Sequence, residues 1–103
     1  MIINLNGSNK SNIERGIIFN MKKINFNEQD KQQFQDWGYP QNDINQISQL
    51  KYRFHNYCEK EMTFEEAVNA FGRERILGAI GRAAFHSTGS ISEKWGVESS
   101  LFK

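Results

Sequence analysis

The stretch from Thr63 to His86 limits the folds open to this chain more than any other, because it reads as two short helices hinged at Gly72. Thr63 and Glu66 have the spacing of a capping box, in which each residue's side chain satisfies the other's backbone N–H. Phe64, Ala67, Val68 and Phe71 then supply an apolar face, so a helix is predicted over Phe64–Phe71, with Gly72 as its stop. A second helix is predicted from Arg73 or Glu74 to His86. Ile76, Leu77, Ile80, Gly81, Ala83, Ala84 and Phe85 sweep out a broad apolar arc, and Arg75, Arg82 and His86 share a line on the opposite side. Two interior glycines each cost about 1 kcal/mol relative to Ala. Gly81 lies in the apolar arc, where close helix packing accounts for it. Gly78, beside Ala79, borders the cationic strip, where packing accounts for it less well.

Two further helices are predicted upstream. The first is Glu28–Trp37, with Asn27 as N-cap, Glu28 and Asp30 at its positive end, Phe34 and Trp37 on one side, and Gly38 and Pro40 as stop signals. Trp37 is expected to plug the core and Tyr39 to pack over the helix end; the competing reading of Trp37-Gly38-Tyr39-Pro40 is an aromatic contact loop. The second is Ile44–Cys58, capped by Asn42 or Asp43. Ile44, Ile47, Leu50, Phe54, Tyr57 and Cys58 fall within an arc of about 140°, and only Lys51 intrudes. That register puts Tyr52 on the polar side, near Ser48 and Arg53. After Ser87-Thr88-Gly89 the pattern weakens. Ile91–Trp95 fits a strand or a short capped helix, and Val97, Leu101 and Phe102 fit a terminal peg. The expected fold is mainly α, a compact bundle of about four short helices with at most a small C-terminal β pair.

A chain of 103 residues is one domain's worth. Residues 1–20 differ from the rest: they are rich in Asn, Gly and Ser and follow no helical or strand period. Glu14-Arg15-Gly16 suits purine-rich codons and Ile17-Ile18-Phe19-Asn20 suits A/T-rich ones, which together resemble a ribosome-binding site ahead of Met21. The segment is therefore read as a non-native extension or a disordered tail, with residues 21–103 as the helical domain. Of 13 basic and 12 acidic side chains, Lys10, Arg15 and Glu14 precede Met21, which leaves the remainder neutral. Any contact with nucleic acid or membrane must then come from a local patch. Eight Phe, two Trp and three Tyr compensate for a hydrophobic content of 38% and suffice for a modest core. Cys58 is the sole cysteine, so no internal disulfide forms and no cysteine metal site exists. No apolar run spans a bilayer, and Ile2-Ile3-Asn4-Leu5 lacks the pattern of a signal peptide, so a cytoplasmic location is expected.

The chain carries no recognisable catalytic constellation. Gly72, Gly78 and Gly81 lack the spacing and preceding strand of a phosphate loop, and there is no Gly-x-Ser-x-Gly elbow. His55 and His86 are 31 positions apart, with no carboxylate pair in helical register with either, so no metal motif is read and no cofactor is expected. The apolar arc around Cys58 favours a core thiol over a nucleophile. The candidate contact surface is Arg75, Arg82 and His86 with Gly78 at its edge. There, small residues would admit a partner's backbone or phosphate between guanidinium groups. Arg73 at the helix start and Tyr52 complete the candidate set. The plain alternative is a solvated helix face, on which charges are ordinary.

Several blocks together resemble an uncharacterised group of short accessory proteins from phages and mobile elements of low-GC Gram-positive bacteria: Trp37-Gly38-Tyr39-Pro40, Phe64-Glu65-Glu66-Ala67, Phe71-Gly72-Arg73-Glu74, Gly81-Arg82-Ala83-Ala84-Phe85-His86 and Ser99-Ser100-Leu101-Phe102. The resemblance covers residues 24–103. In the similar proteins a longer polar segment separates the Phe-His block from the Ser-Ser ending; this chain is shorter there. The resemblance implies no catalytic activity. It implies a context in which small proteins bind and modulate a host or phage macromolecule, including host defence nucleases as an anti-CRISPR does.

Two functions are therefore expected of different kinds. The first is a non-enzymatic interaction protein that contacts a host or phage protein, alone or in a nucleic-acid-bound complex, through the Arg75–Arg82–His86 face. The second is a small DNA-binding regulator that uses the Phe64–His86 pair as a helix-turn-helix. Against the second, Val68 stands where that motif takes a small residue, Gly78 and Gly81 are atypical of a recognition helix, and a neutral domain attracts DNA weakly. No membrane contact is expected, and spare aromatics leave room for a homodimer.

Overall fold

The computed structural model describes residues 21–56, 60–86, 88–92 and 95–101. The elements in chain order are β1 (Lys22–Lys23), α1 (Glu28–Asp36), α2 (Gln41–Gln49), β2 (Lys51–Asn56), β3 (Glu61–Met62), α3 (Phe64–Phe71), α4 (Arg73–His86), β4 (Thr88–Ser92) and β5 (Trp95–Ser99). This is a mixed α/β fold, four helices with a five-stranded antiparallel sheet, and it corrects the expected mainly α bundle.

The correction begins at Leu50. The predicted Ile44–Cys58 helix stops at Gln49, and Leu50 turns into extended backbone with ψ 162°. Lys51 to Asn56 continue as a strand in which Tyr52 and Phe54 are buried and Lys51 is exposed. Ile44, Ile47, Leu50 and Phe54 satisfy a helical period, but Tyr52 and Phe54 also satisfy a period of two. Aromatic residues separated by charged ones suit a half-buried strand. Neither Asn42 nor Asp43 caps α2; Pro40 occupies the N-cap, with no side-chain hydrogen bond. Cys58 and Tyr57 lie outside the described residues, as do residues 1–20.

β2 is the centre of the sheet, whose order is β1-β2-β5-β4. It pairs along its whole length with β5, from Tyr52 opposite Ser99 to Asn56 opposite Trp95. On its other side, β1 takes Lys51 and Tyr52 while β3 takes Phe54 and His55. β1 and β3 therefore lie end to end along one edge and meet opposite Arg53. The C-terminal region, expected to hold at most a peg and a short pair, supplies β4 and β5, which pair with each other across an irregularity between Gly89 and Ser92.

The helices pack on the face of the sheet that carries Tyr52, Phe54, Trp95, Val97 and Ser99. Phe64 meets Phe54, Phe71 stacks on Trp95 with ring centroids 4.6 Å apart, and the Ser99 hydroxyl donates to the Ala83 carbonyl at 2.6 Å. The Tyr52 hydroxyl donates to the Ile47 carbonyl at 2.6 Å, which ties β2 to α2. Gly89 of β4 lies against the backbone of Ala79, so closely that there is no room for a Cβ. The opposite face carries Lys51, Arg53, His55 and Glu98. There Arg53 bridges Glu98 at 2.8 Å and Glu61 at 3.5 Å, and His55 lies 3.3 Å from Glu98.

The other helices follow their sequence signals closely. Asn27 caps α1 in a full capping box with Asp30, and Thr63 caps α3 in another with Glu66. Gly72 alone joins α3 to α4, at φ 97° and ψ 141°, a conformation that is open to glycine and strained for any side chain.

Candidate functional site

α4 is the helix that positions the candidate face. Ile76, Leu77, Ala79, Ile80, Gly81, Ala83 and Ala84 are buried beneath it. Arg75, Arg82 and His86 are exposed on its outer side, with Gly78 half-buried between them. Arg75, Gly78 and Arg82 follow steps of three and four residues, so they share one face. From Arg75 to Arg82 is seven residues, about 10 Å along the axis.

Two expected members of the face behave differently. Ala79, counted on to widen the approach beside Gly78, is fully buried against β4. The approach over Gly78 is also flanked: a Cβ built there would lie 3.8 Å from the Trp37 ring and 3.8 Å from the Arg82 guanidinium. Trp37 does not plug the core. Its ring meets Phe34 edge-on, and at 41% exposure it is the one large hydrophobic left exposed among the described residues. Tyr39 instead fills the inner position, edge-on to Phe34 and stacked on Phe85. Gly81 accommodates this ring rather than another helix, since a Cβ there would come within 2.5 Å of the Tyr39 hydroxyl.

Tyr52, expected on a polar helix face, is corrected to a core residue of β2 at 1% exposure. Burial raises its phenol above the ordinary range, and with its hydroxyl committed to Ile47 it offers nothing to a partner. Arg73 is also committed internally. Its Nε and Nη2 donate to the two carboxylate oxygens of Asp30 at 2.7 and 2.8 Å, and its guanidinium lies over the Phe64 ring. The hydrogen bonds to Asp30 raise the Arg73 pKa. Burial by itself pushes the Asp30 carboxyl upward, but the Arg73 hydrogen bonds, the Asn27 amide and the Arg73 charge outweigh it and hold the group below its ordinary value.

Four arginines fall within the described residues. Arg53 and Arg73 are held by carboxylates. Arg75 and Arg82 make no hydrogen bond or ion pair with any described residue, and neither does His86. The face thus comprises two free guanidinium groups and an imidazole on α4, with the Trp37 ring reaching over from the α1–α2 corner. The sequence signal for Trp37 was its place immediately before Gly38, at the helix end, where a large ring has no following turn to cover it.

The helix-turn-helix geometry finds little support. A single residue joins α3 to α4, and the start of α4 is tied to Asp30 through Arg73. Among the described residues no three His, Cys, Asp or Glu side chains converge as metal ligands, and no helix is long and apolar enough to cross a membrane. Compared with known protein families, with curated proteins and with solved structures, the chain matches none of them.

Proposed function

We propose that this protein is a non-enzymatic, cytoplasmic binding protein that docks on an acidic protein surface through the outer face of α4. The observation that carries the reading is the division among the described arginines: Arg53 and Arg73 are locked into the fold, while Arg75 and Arg82 bond to no described residue and share a face with the exposed Trp37 ring over Gly78. Trp and Arg are the residues that most often dominate binding energy at protein interfaces, because a large ring and a planar fork lose little entropy per contact made. Gly78 between them leaves a shallow floor for a partner side chain.

A protein partner suits this face better than DNA does. Arg75, Arg82 and His86 would neutralise about three phosphates at most, where tight duplex binding uses roughly six to ten. The biological setting rests on the resemblance to accessory proteins of mobile elements. In that setting the partner is a host or phage macromolecule, and inhibition of a host defence nuclease is one specific form.

The test is affinity capture from the native host, comparing the wild type with Arg75→Glu/Arg82→Glu, Trp37→Ala and a Lys51→Glu control, with circular dichroism checking each fold. The double reversal is expected to weaken capture of the partner about tenfold or more, Trp37→Ala to weaken it by a similar factor, and Lys51→Glu to leave it unchanged. Undiminished capture by a folded double variant removes the face from consideration. Duplex DNA at low salt is expected to show no saturable binding. Strong DNA binding that falls steeply with salt and is lost in the double variant would transfer the reading to DNA.

A further inference from the structure

A second surface, independent of the α4 face, is a concave site whose described charged side chains are all positive. Between β1, α1 and α2 lies a basin of about 330 Å³. Ile24 and Ile44 form its floor, with Phe26 alongside. Among the described residues, the only charged side chains that line it are Lys23 and Lys31, and no carboxylate does. A larger groove of about 420 Å³ near Arg53 lacks this purity, because Glu61, Glu65 and Glu66 face its lysines and arginines and leave no preferred ligand sign.

The rim of the basin is built from carboxamides. Gln41, Asn45, Ser48 and Gln49 follow one another at helical spacing on the same face of α2 as Ile44, and Asn25 faces them from the end of β1. The Gln41 amide donates to the Asn45 carbonyl oxygen at 2.9 Å. That bond leaves the Gln41 oxygen as a free acceptor and the Asn45 NH2 as a free donor. The side chains of Asn25, Ser48 and Gln49 bond to no other described residue. Lys31 makes only a loose 3.9 Å contact with Glu28, whose side chain is 91% exposed. The basin therefore offers an apolar floor, several unused donors and acceptors, and two available positive charges.

We propose that this basin binds a nucleoside monophosphate. A flat heterocycle lies against the half-buried Phe26 above Ile24 and Ile44, the carboxamides read its polar edge, and Lys23 and Lys31 receive the phosphate. Carboxamides present a donor and an acceptor side by side, which is the pattern of a nucleobase edge. Ligand pockets run from roughly 300 to 1,000 Å³, so this one is matched to a single nucleotide rather than a dinucleotide.

The test is a titration of the isotope-labelled full chain with adenosine 5′-monophosphate, followed by two-dimensional NMR, in which side-chain NH2 groups give their own signals. Saturable shifts are expected at Asn25, Asn45 and Gln49, larger than ribose 5-phosphate produces and far larger than inorganic phosphate produces. Lys31→Glu and Asn45→Ala, both at exposed or half-buried positions, should each weaken binding about tenfold while leaving the remaining spectrum in place. No saturable shift across the millimolar range overturns the proposal. Equal shifts from inorganic phosphate, or shifts scattered over lysines elsewhere, overturn it as well by showing general anion attraction.

Discussion

Gly89→Ala is expected to cost about 3 kcal/mol or more, a large share of the stability of a domain of this size. The added Cβ would fall on the carbonyl oxygen of Ala79 and lie 2.9 Å from its carbonyl carbon and 3.2 Å from its Cα. All three atoms belong to the backbone of a helix that is buried on that side, so none can swing away as a side-chain tip would. β4 would have to leave α4, and β4 also pairs with β5, which pairs with β2. The strain would therefore reach the middle of the sheet. The urea midpoint and melting temperature measure it, and a loss below about 1 kcal/mol would show that the strand and helix are not in close contact. Gly78→Ala is the internal contrast. The nearest atoms to its added Cβ are side-chain atoms at 3.8 Å, an ordinary contact, so the helix propensity gained should stabilise the protein by up to about 1 kcal/mol. The same substitution ten or so residues apart should thus change sign.

Asp30→Asn is the second large effect, expected to cost about 3 kcal/mol at neutral pH. Asp30 is 1% exposed and does two jobs at once. One carboxylate oxygen accepts from the Asn27 amide and closes the cap of α1, while the pair of oxygens receives the Arg73 fork. Losing its charge leaves Arg73 without its counterion at the start of α4. Removing both partners, as Asp30→Asn with Arg73→Met, should recover part of the loss, because no charge is then left unpaired. The pH dependence has a definite sign. The folded-state pKa lies below the ordinary 3.8, so the contribution is fully present above that value and is lost as pH falls through the folded pKa. Urea midpoints taken down to about pH 3 should therefore converge between the wild type and Asp30→Asn as the carboxyl protonates. A constant gap across that range would mean that the charge of Asp30 is not what stabilises the junction.

The parts of this fold that could be read from the sequence are those whose signals are local. Asn27 ahead of Glu28, Thr63 three residues before Glu66, and Gly72 between two apolar runs each fix a helix boundary with residues a turn apart, and the helices lie there. The strands are specified by partners far along the chain. Tyr52 faces Ser99 across 47 residues, and nothing near Tyr52 announces that pairing. β4 and β5 are written in Thr, Gly and Ser as much as in Val and Trp, a composition equally at home in loops. Leu50 has neither a glycine nor a proline to end its helix, so the apolar spacing ran on into Phe54. The candidate face shows the same division. Its angular arrangement on α4 follows from the spacing of Arg75, Arg82 and His86 alone. That Arg73 is already occupied and Trp37 is not depends on Asp30 and Gly78, which sit 43 and 41 positions away from them.

The pairing of β2 with β5 has a consequence for how the chain leaves the ribosome. Tyr52 and Phe54 are made early and receive their principal neighbour only when residues 95–99 arrive. Until that moment the two rings have only the two-residue strands β1 and β3 beside them, and the sheet surface on which the helices close is incomplete. Folding must therefore wait for nearly all of the described chain to emerge, and a nascent protein interrupted short of Trp95 would present those rings to whatever it meets first.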